Sequence, residues 1–482
     1  MQIIKDYLRL RWTEEGGYHQ VLVLAFPLIL STASWSVQHF VDRMFLTWFS
    51  TEAVAAAMPA GLLNFTLMSI FLGTAGYTST FAAQYFGAGR FDRVGPAIWQ
   101  GIYVSVFGWL VLVACIPLAG PIFKLAGHEP LIQANEVIYF QILALGAGPA
   151  IAASAMSGFF SGLSNPWPVV WVNLVATGVN VVFDYLMIFG KFGFPRWGMK
   201  GAAVATVLSA VASFIVYLIL FARPAYNQRY RLLAGWRFDG PLFKRLLKFG
   251  FPNGAQFFLD VAGFTVFLFL IGRLGTVNLA ATNIAFNINT LAFMPMIGVG
   301  IAVSVLVGQF LGQNRPDLAQ RSTFRGFHLT LVYMSAVAAL YVLVPDLFVA
   351  PFARNAHEKN FPQIQELTIV LLRFVAVYSV FDTMNIVFSS ALRGAGDTRY
   401  VMFMIVAVSL LVLVIPSYIG LVVLGGSIYL GWTIASAYVI ILGFSFLFRF
   451  LGGKWKSMRV IEEAAPHVLP PLPPETPGPE IG

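Results

Sequence analysis

The sequence is poor in charged residues and in the residue types that usually bind metals. Only 11% of its 482 residues are charged, whereas soluble globular domains carry about 25%. One cysteine, Cys115, gives neither an intrachain disulfide nor a Cys metal site, and the six histidines show no HExxH or similar ligand spacing. The predicted spans also lack a GxSxG or metal motif, and there is no Walker A lysine. These absences exclude a soluble globule and argue against a metal centre and an ATP-driven pump.

Long apolar runs are abundant instead. Apolar residues make up 58% of the chain, and the mean hydropathy is +0.77. Stretches of about 20 apolar residues, long enough to cross the hydrocarbon core, are centred near residues 30, 70, 108, 148, 178, 211, 260, 295, 338, 378, 411 and 438. Runs such as IVYLILF at 215–221 lack the alternation of a membrane β-strand. The sequence therefore predicts an all-α membrane protein with twelve transmembrane helices.

The basic residues are distributed unevenly among the loops. The net charge of +9 could indicate nucleic-acid binding, but with both chain ends on one side of the membrane, 21 of the 30 Lys and Arg residues, including Arg393, fall on that side. Seven fall on the other side: Lys124, Lys191, Arg196, Lys200, Arg273, Arg354 and Lys359. The remaining two, Arg43 and Arg373, lie near or within spans and are assigned to neither side. Cytoplasmic loops carry such an excess of Lys and Arg. We therefore expect a multi-pass protein of the plasma membrane (the inner membrane in a bacterium), with cytoplasmic termini and no nucleic-acid partner.

An internal repeat relates the two halves of the chain. At a shift of 225 residues, QYFGAGRFD at 84–92 lies over QFLGQNRPD at 309–317, and Phe26-Pro27 lies over Phe251-Pro252. A second pair, SGLSNP at 161 and RGAGDT at 393, needs a shift of 232. Each half holds six spans, so both copies have the same orientation. This predicts two pseudo-symmetric six-helix bundles related as a parallel repeat, an arrangement that places substrate between the halves in transporters.

The repeat and the composition divide the chain into five parts. We expect a cytoplasmic arm at 1–17, an N-terminal lobe at 18–222, a cytoplasmic linker at 223–240, a C-terminal lobe at 241–452 and a tail at 453–482. The tail is rich in proline and has little apolar surface to bury, which predicts disorder or polyproline II structure.

Four aspartates fall inside predicted spans, where a charge is costly. They are Asp42, Asp184, Asp260 and Asp382, and each has a polar residue four positions earlier on the same helix face: Gln38, Asn180, Gln256 and Tyr378. They could be structural hydrogen-bond nodes between helices. Since the spans hold few cations to pair with them, these carboxylates would otherwise take up a proton or bind a cation. Asp42 lies over Phe267 in the repeat and Asp260 over Trp35, so we expect two different sites, one in each half.

Several segments form a specific combination. They are FVDRMFLTW, AAQYFGAGR, NVVFDYLMIFGKFGFP with GMKGAAVATVLS, GQFLGQNR, and YSVFDTMN leading into ALRGAGDTR. Together they resemble the multidrug and toxic compound extrusion (MATE) transporters, nearest the NorM-like branch, over roughly residues 18–450. The resemblance implies a secondary transporter, not an enzyme, that exports cationic and amphipathic organic compounds in exchange for Na⁺ or H⁺. It would need no cofactor, and we expect a monomer.

The resemblance also implies site residues in each half. In the N-terminal half, Asp42 matches the family's first-helix acid, Asn180 and Asp184 match its fifth-helix pair, and Thr206 matches a sixth-helix threonine that completes a cation site. Gln38 adjoins this site, one turn before Asp42.

In the C-terminal half, Asp382 and Tyr378 match the tenth-helix acid and its tyrosine. Asp260, one turn after Gln256, stands where NorM-like proteins usually have glutamate, and Ser164 stands where the turn motif usually has glycine.

The mechanism expected from these residues is competition between two ligands for the same carboxylates. A coupling cation and a cationic substrate would bind the same carboxylates, so that only one neutralises them as the lobes reorient. Pro27 and Pro252 each remove a backbone hydrogen bond in the first helix of a half and offer bending points. A flippase for a lipid-linked saccharide is the alternative, although it would favour a basic cavity. An intramembrane enzyme is much less favoured, and the residues do not distinguish Na⁺ from H⁺.

Overall fold

A computed structural model of the chain describes residues 11–126, 129–353 and 360–462. The N-terminal half contains α1 (Tyr18–Phe49), α2 (Thr51–Gly76), α3 (Thr78–Gly87), α4 (Val94–Ala114), α5 (Ala119–Ala126), α6 (Pro130–Leu145), α7 (Ala147–Gly162), α8 (Trp167–Phe189) and α9 (Met199–Ala222). The linker contains α10 (Pro224–Tyr230). The C-terminal half contains α11 (Gly240–Gly272), α12 (Thr276–Gly312), α13 (Pro316–Leu343), α14 (Pro345–Ala353), α15 (Phe361–Ala395), α16 (Thr398–Val408), α17 (Ile415–Tyr418) and α18 (Ile428–Leu451). The described ranges contain no β-strand.

The helices are long and apolar enough to account for the predicted spans. Eleven of them, some continued across short breaks, can cross a bilayer, and α6 with α7, bent by 44° at their junction, make a twelfth. The prediction of an all-α fold with twelve spans is confirmed. Local chemistry sets several ends: Ser50 caps α2 by accepting from the Ala53 N–H, and Gly190, with φ of 66°, ends α8 in the left-handed region.

The eleventh span is irregular, which the sequence did not predict. π-Helical turns at Ser409–Val414 and Ile419–Val423 flank α17, which carries Pro416. Proline cannot donate a backbone hydrogen bond, and π-turns accommodate the mismatch. By contrast, Pro27 and Pro252 are buried inside α1 and α11, and both helices continue past them.

The first helix of each lobe packs against the opposite lobe near its start. Val21 and Leu24 of α1 belong to an apolar core with Val303 of α12, whereas Leu242 and Leu246 of α11 belong to the core of the N-terminal lobe. These exchanged helix starts lie at one end of the bundle, near the linker and the loops after α3 and α12. We call this end the basic face because Arg90, Arg93, Arg237, Arg245 and Arg315 lie there.

The lobes come into close backbone contact at two places where helices cross at a glycine, each farther along the helices from the basic face. A Cβ on Gly254 of α11 would lie 2.0 Å from the Ile70 carbonyl oxygen of α2. A Cβ on Gly298 of α12 would lie 2.5 Å from the Ile29 side chain of α1. Ile29 and Gly254 occupy equivalent repeat positions, so the same crossing occurs twice.

A pair of glutamines joins the lobes at the basic face. Gln84 Nε2 at the end of α3 donates to the Gly394 carbonyl at 3.0 Å, and Gln309 Nε2 at the end of α12 donates to the Gly162 carbonyl at 2.7 Å. Gln84 and Gln309 are repeat equivalents, as are Gly162 and Gly394. We call these four residues the glutamine lock. Repetition of the motif in sequence has produced reciprocal hydrogen bonds between the lobes.

The first part of the predicted tail at 453–482 is ordered and packs against both lobes. Residues Lys454–Ser457 form a 3₁₀ turn in which Trp455 is fully buried and stacks on Phe450 at 4.7 Å. Val460 is also fully buried, and its N–H donates to Gln84 Oε1 at 2.8 Å. The prediction of disorder is wrong for 453–462, because these apolar side chains find a surface that both lobes build together. The rest of the tail lies outside the described residues.

Candidate transport cavity and acid sites

The acids of the N-terminal lobe form a buried cluster between α1 and α8. The exposed fraction is 8% for Asp42 and 0% for Asn180 and Asp184. The three side chains lie side by side, because residues 180 and 184 share one face of α8 and Asp42 faces them from α1. The structure therefore brings together three of the residues predicted for this site.

Hydrogen bonding inside this cluster is incomplete. Both carboxylate oxygens of Asp184, Asp42 Oδ1 and both polar atoms of the Asn180 amide are buried without a protein hydrogen-bond partner in the described ranges. Buried polar atoms are normally satisfied, and an unpaired buried carboxylate is costly. A proton shared by the two carboxyl groups, or a small cation between them, would relieve that cost.

Two other predicted residues make their hydrogen bonds outside the acid cluster. Gln38 is 8% exposed and donates to Ser209 Oγ at 3.4 Å. The Thr206 hydroxyl donates within its own helix to the Ala202 carbonyl at 3.0 Å. Thr206 is therefore engaged in a local hydrogen bond instead of bonding to the acids, as Ser and Thr hydroxyls often are in helices.

The sequence did not point to two further buried groups in this lobe. Tyr139, on α6, is 7% exposed and lies near both Asp42 and Asp184. Glu136, one turn earlier, is fully buried and is thus another acid within a span. Their helix is the first part of the bent pair, where a break in the apolar run obscured the limits of the span.

Arg43 does not neutralise the cluster. It is exposed, next to Asp42 along α1, and makes no ion pair with that acid in the described structure. Adjacent helical positions point about 100° apart, so the side chain of Arg43 is directed away from the acids that Asp42 faces.

The acids of the C-terminal lobe line a cavity of about 720 Å³. Asp260 faces it from α11 and Asp382 from α15, together with Gln256 and Tyr378. Tyr77, Ser79 and Thr80 from the other lobe complete the wall. All four residues predicted for the C-terminal site therefore meet around one space between the lobes.

The two cavity acids have different surroundings. Asp382 is 6% exposed, and its Oδ1 accepts from Asn385 Nδ2 at 2.8 Å. Asp260 is exposed to the cavity, with Gln256 beside it one turn earlier. Asp382 is thus fixed by an amide, while Asp260 is the more accessible carboxylate.

Aromatic side chains line the same cavity as these acids. Trp432 stacks on Phe286 with ring centroids 4.9 Å apart, and Phe286 packs against Phe264 at 4.6 Å. Tyr378 accepts a hydrogen bond from Asn289 Nδ2 at 3.3 Å. Aromatic faces attract organic cations, so the cavity combines apolar surface with negative charge.

The position of Arg393 differs from the one expected from the distribution of basic residues among the loops. The sequence places it among the basic residues of the inner loops, yet its side chain lines the cavity with Asp260 and Asp382. It lies on the last turn of α15, a helix that extends to Ala395 and so directs residue 393 toward the acids. The cavity is therefore not purely acidic.

Comparison with known proteins places the chain in a family. The MatE family model matches residues 27–186 and 252–419. The two matches begin 225 residues apart, the same shift as the internal repeat. The chain belongs to the MatE family.

Two relatives of the chain share a name. Probable multidrug resistance protein NorM of Bradyrhizobium diazoefficiens is 31% identical over 79% of this chain and 81% of that protein. The Thermotoga maritima protein of the same name is 26% identical over 92% of this chain and 94% of that protein.

Solved structures share the MatE fold. A transporter from Pyrococcus furiosus, described as having a binding pocket of reverse polarity, matches with a TM-score of 0.83 and 17% identity over 93% of this chain and 98% of that one. The outward-facing conformation of a multidrug resistance MATE family transporter matches with a TM-score of 0.82 and 17% identity over the same shares. These likenesses confirm the two-lobe architecture.

Proposed function

We propose that this MatE protein is a secondary antiporter that exports cationic and amphipathic organic compounds in exchange for Na⁺ or H⁺. The observation that carries the proposal is the cavity between the lobes, which two carboxylates and several aromatic side chains line together. The names of the NorM relatives support multidrug export. A lipid-linked pyrophosphate would meet two carboxylates and one guanidinium in this cavity, which disfavours the flippase alternative.

Coupling rests on charge compensation. The buried N-lobe cluster needs a proton or a cation, and the cavity acids need a proton, a cation or a cationic substrate. Binding of the coupling ion would favour the lobe arrangement from which substrate leaves, and binding of substrate would favour the other. Pro27 and Pro252 lie between the cross-packed starts of α1 and α11 and the acids farther along, where a helix bend would change the distance between them.

The proposed orientation places the basic face in the cytoplasm of a plasma membrane. The excess of Lys and Arg in the loops of that face supports it. The structure would then be closed toward the cytoplasm, since every hydrogen bond of the glutamine lock lies there. The protein would work as a monomer, because each lobe of a single chain supplies one wall of the cavity.

The decisive experiment is ethidium transport by protein reconstituted in vesicles under an imposed Na⁺ or H⁺ gradient. Wild type should move ethidium against its gradient with one of the two ions, which identifies the coupling ion. Asp42→Asn and Asp382→Asn should each reduce gradient-driven transport to near the level of protein-free vesicles, because each substitution removes a titratable, cation-binding oxygen.

Asp92→Asn is the matched control, since Asp92 is exposed at the basic face outside both sites. It should transport at the wild-type rate. Wild-type rates in both site variants would refute the coupling sites, and a wild type that moves no dye under either gradient would refute the export function.

A further inference from the structure

Three of the residues that line the cavity carry a formal charge: Asp260, Asp382 and Arg393. With all three ionised, the cavity holds one net negative charge. A substrate with one positive charge would complete the balance, whereas a substrate with two would leave an excess. The charge of the cavity therefore depends on Arg393 as much as on the acids.

The guanidinium of Arg393 is held in place without being neutralised. Its Nη2 donates to Ser390 Oγ at 2.8 Å, one turn earlier on α15. Among the described residues it forms no ion pair with either cavity acid, although Asp260 is near enough for their charges to interact. An arginine remains protonated under all physiological conditions. It therefore presents a full positive charge to whatever occupies the cavity.

The backbone of Arg393 is fixed by the other lobe. Its carbonyl accepts a hydrogen bond from the Tyr77 hydroxyl at 2.6 Å, and the next carbonyl, of Gly394, accepts from Gln84. The guanidinium therefore lies at the end of the cavity nearest the basic face. Because these bonds use main-chain atoms, changing the side chain at 393 leaves them intact.

We propose that Arg393 is a specificity-determining residue that restricts the cavity to organic substrates with a single positive charge. This inference rests on the proposed export function and goes beyond it by setting the charge of the substrate. The guanidinium offsets one of the two carboxylates, so the cavity compensates only one positive charge of a ligand. The second charge of a dication would leave water without a counter-ion, which is costly. Charges in a partly desolvated protein site are screened far less than charges in water.

Ethidium and propidium provide a matched pair of probes, since both have the same phenanthridinium rings but carry one and two positive charges. The measurement is the initial rate of uptake into proteoliposomes that enclose DNA, under the gradient that drives wild-type transport. Wild type should prefer ethidium. Arg393→Gln should raise the propidium-to-ethidium rate ratio on the order of tenfold, the effect of removing one unit charge across a cavity of this size.

Two variants separate charge from structure. Arg393→Lys keeps the positive charge and should retain the wild-type ratio. Arg373→Gln removes the same charge from an exposed position on the same helix, α15, outside the cavity, and should also leave the ratio unchanged.

Each outcome bears on one proposal. If wild type exports ethidium and propidium at equal rates, or if Arg393→Gln leaves the ratio unchanged, the role of Arg393 is refuted while the export function stands. The first of these comparisons needs no variant, so it remains decisive even if Arg393→Gln fails to fold. Absence of ethidium transport by wild type would instead refute the export function itself.

Discussion

At the scale of single residues, close packing between the lobes depends on small side chains. Gly254 allows α11 to lie against the Ile70 carbonyl, and its neighbour Asn253 donates from Nδ2 to the Gly73 carbonyl at 2.8 Å. Helices approach this closely only where a side chain is absent, as at small-residue interfaces in membranes. The crossing therefore has no room for a methyl group.

Gly254→Ala should destabilise the protein, because the added Cβ would collide with a backbone oxygen that cannot move without shifting α2. We expect a loss of about 1 to 3 kcal/mol in the free energy of unfolding, measured as a lower Tm of the detergent-solubilised protein. Gly178→Ala is the control, since a Cβ there meets no atom within 4 Å. Equal Tm values for the two variants would contradict the close crossing.

At the scale of secondary-structure elements, the segment after the last span acts as a bridge. Residues Met458–Glu462, which we call the C-terminal strap, leave the C-terminal lobe and end on the N-terminal lobe. Glu462 contacts Arg90 at 2.5 Å and Arg93 at 3.3 Å, and the Tyr85 hydroxyl donates to it at 2.6 Å. The strap thus ties the lobes together at the basic face, beside the glutamine lock.

The charge of Glu462 persists at neutral pH. Burial by itself would raise its pKa, but the hydrogen bond from Tyr85 and the charges of Arg90 and Arg93 outweigh burial and lower the pKa below its usual value. A depressed carboxylate pKa stabilises the fold above the unfolded-state pKa, and this contribution is lost as the pH falls through the lower folded-state value. The Glu462 carboxylate of the strap therefore stays ionised between pH 6 and about 8.

Glu462→Gln should loosen the basic face by removing that charge while preserving the shape. We expect the equilibrium between closed and open forms to shift by about 1 to 2 kcal/mol toward opening. The measurement is the distance between nitroxide labels on Asn165 and Arg399, exposed positions on opposite lobes, in a Cys115→Ser background.

Glu15→Gln is the matched control for the strap. Glu15 pairs with Arg315 at 2.8 Å, but the pair is about half exposed, and such surface pairs contribute little. The same change in label distance in both variants would contradict a specific role for the strap. A wild-type label distance that changes between pH 6 and about 8 because Glu462 titrates would contradict it as well.

At the scale of the whole molecule, the pseudo-symmetry of the lobes is most complete at the basic face. Each lock glutamine uses both ends of its amide: Gln84 also accepts from the Val460 N–H, and Gln309 also accepts from the Ser164 hydroxyl at 3.0 Å. The acids break this symmetry, since Asp42 and Asp260 are not repeat equivalents. Duplication has preserved the closure of the basic face and allowed the two acid sites to diverge.

Gln84→Ala and Gln309→Ala should open the basic face to a similar extent. Each variant loses two hydrogen bonds between or near the lobes. We therefore expect each to shift the equilibrium between closed and open forms by about 2 kcal/mol toward opening, with a roughly additive shift in the double variant. The same label pair on Asn165 and Arg399 reports the change. Gln100→Ala is the control, because Gln100 is fully buried but donates within its own helix, to Pro96. If only one of the two lock variants opens the protein, the symmetric lock is refuted.

Much of the architecture follows from local chemical patterns. The length of the apolar runs predicted twelve spans, which the helices of the structure confirm. The recurrence of QYFGAGR as QFLGQNR predicted two related halves, which the paired family matches confirm. The acids could be found because a charged side chain within an apolar run is conspicuous in any window. Glu136 is less conspicuous, because it ends the polar segment QANE at 133–136 and its helix is bent against the next one within the same span.

Packing over long distances settled the remaining features. Whether Arg393 would lie in a loop or in the cavity depended on how far α15 extends and which lobe binds its backbone, and neither is encoded near residue 393. The order of residues 453–462 depended on a surface that forms only when both lobes are folded. Periodicity and composition act over a few neighbouring residues and so fix the spans, whereas the meeting of groups hundreds of positions apart is a property of the assembled helices.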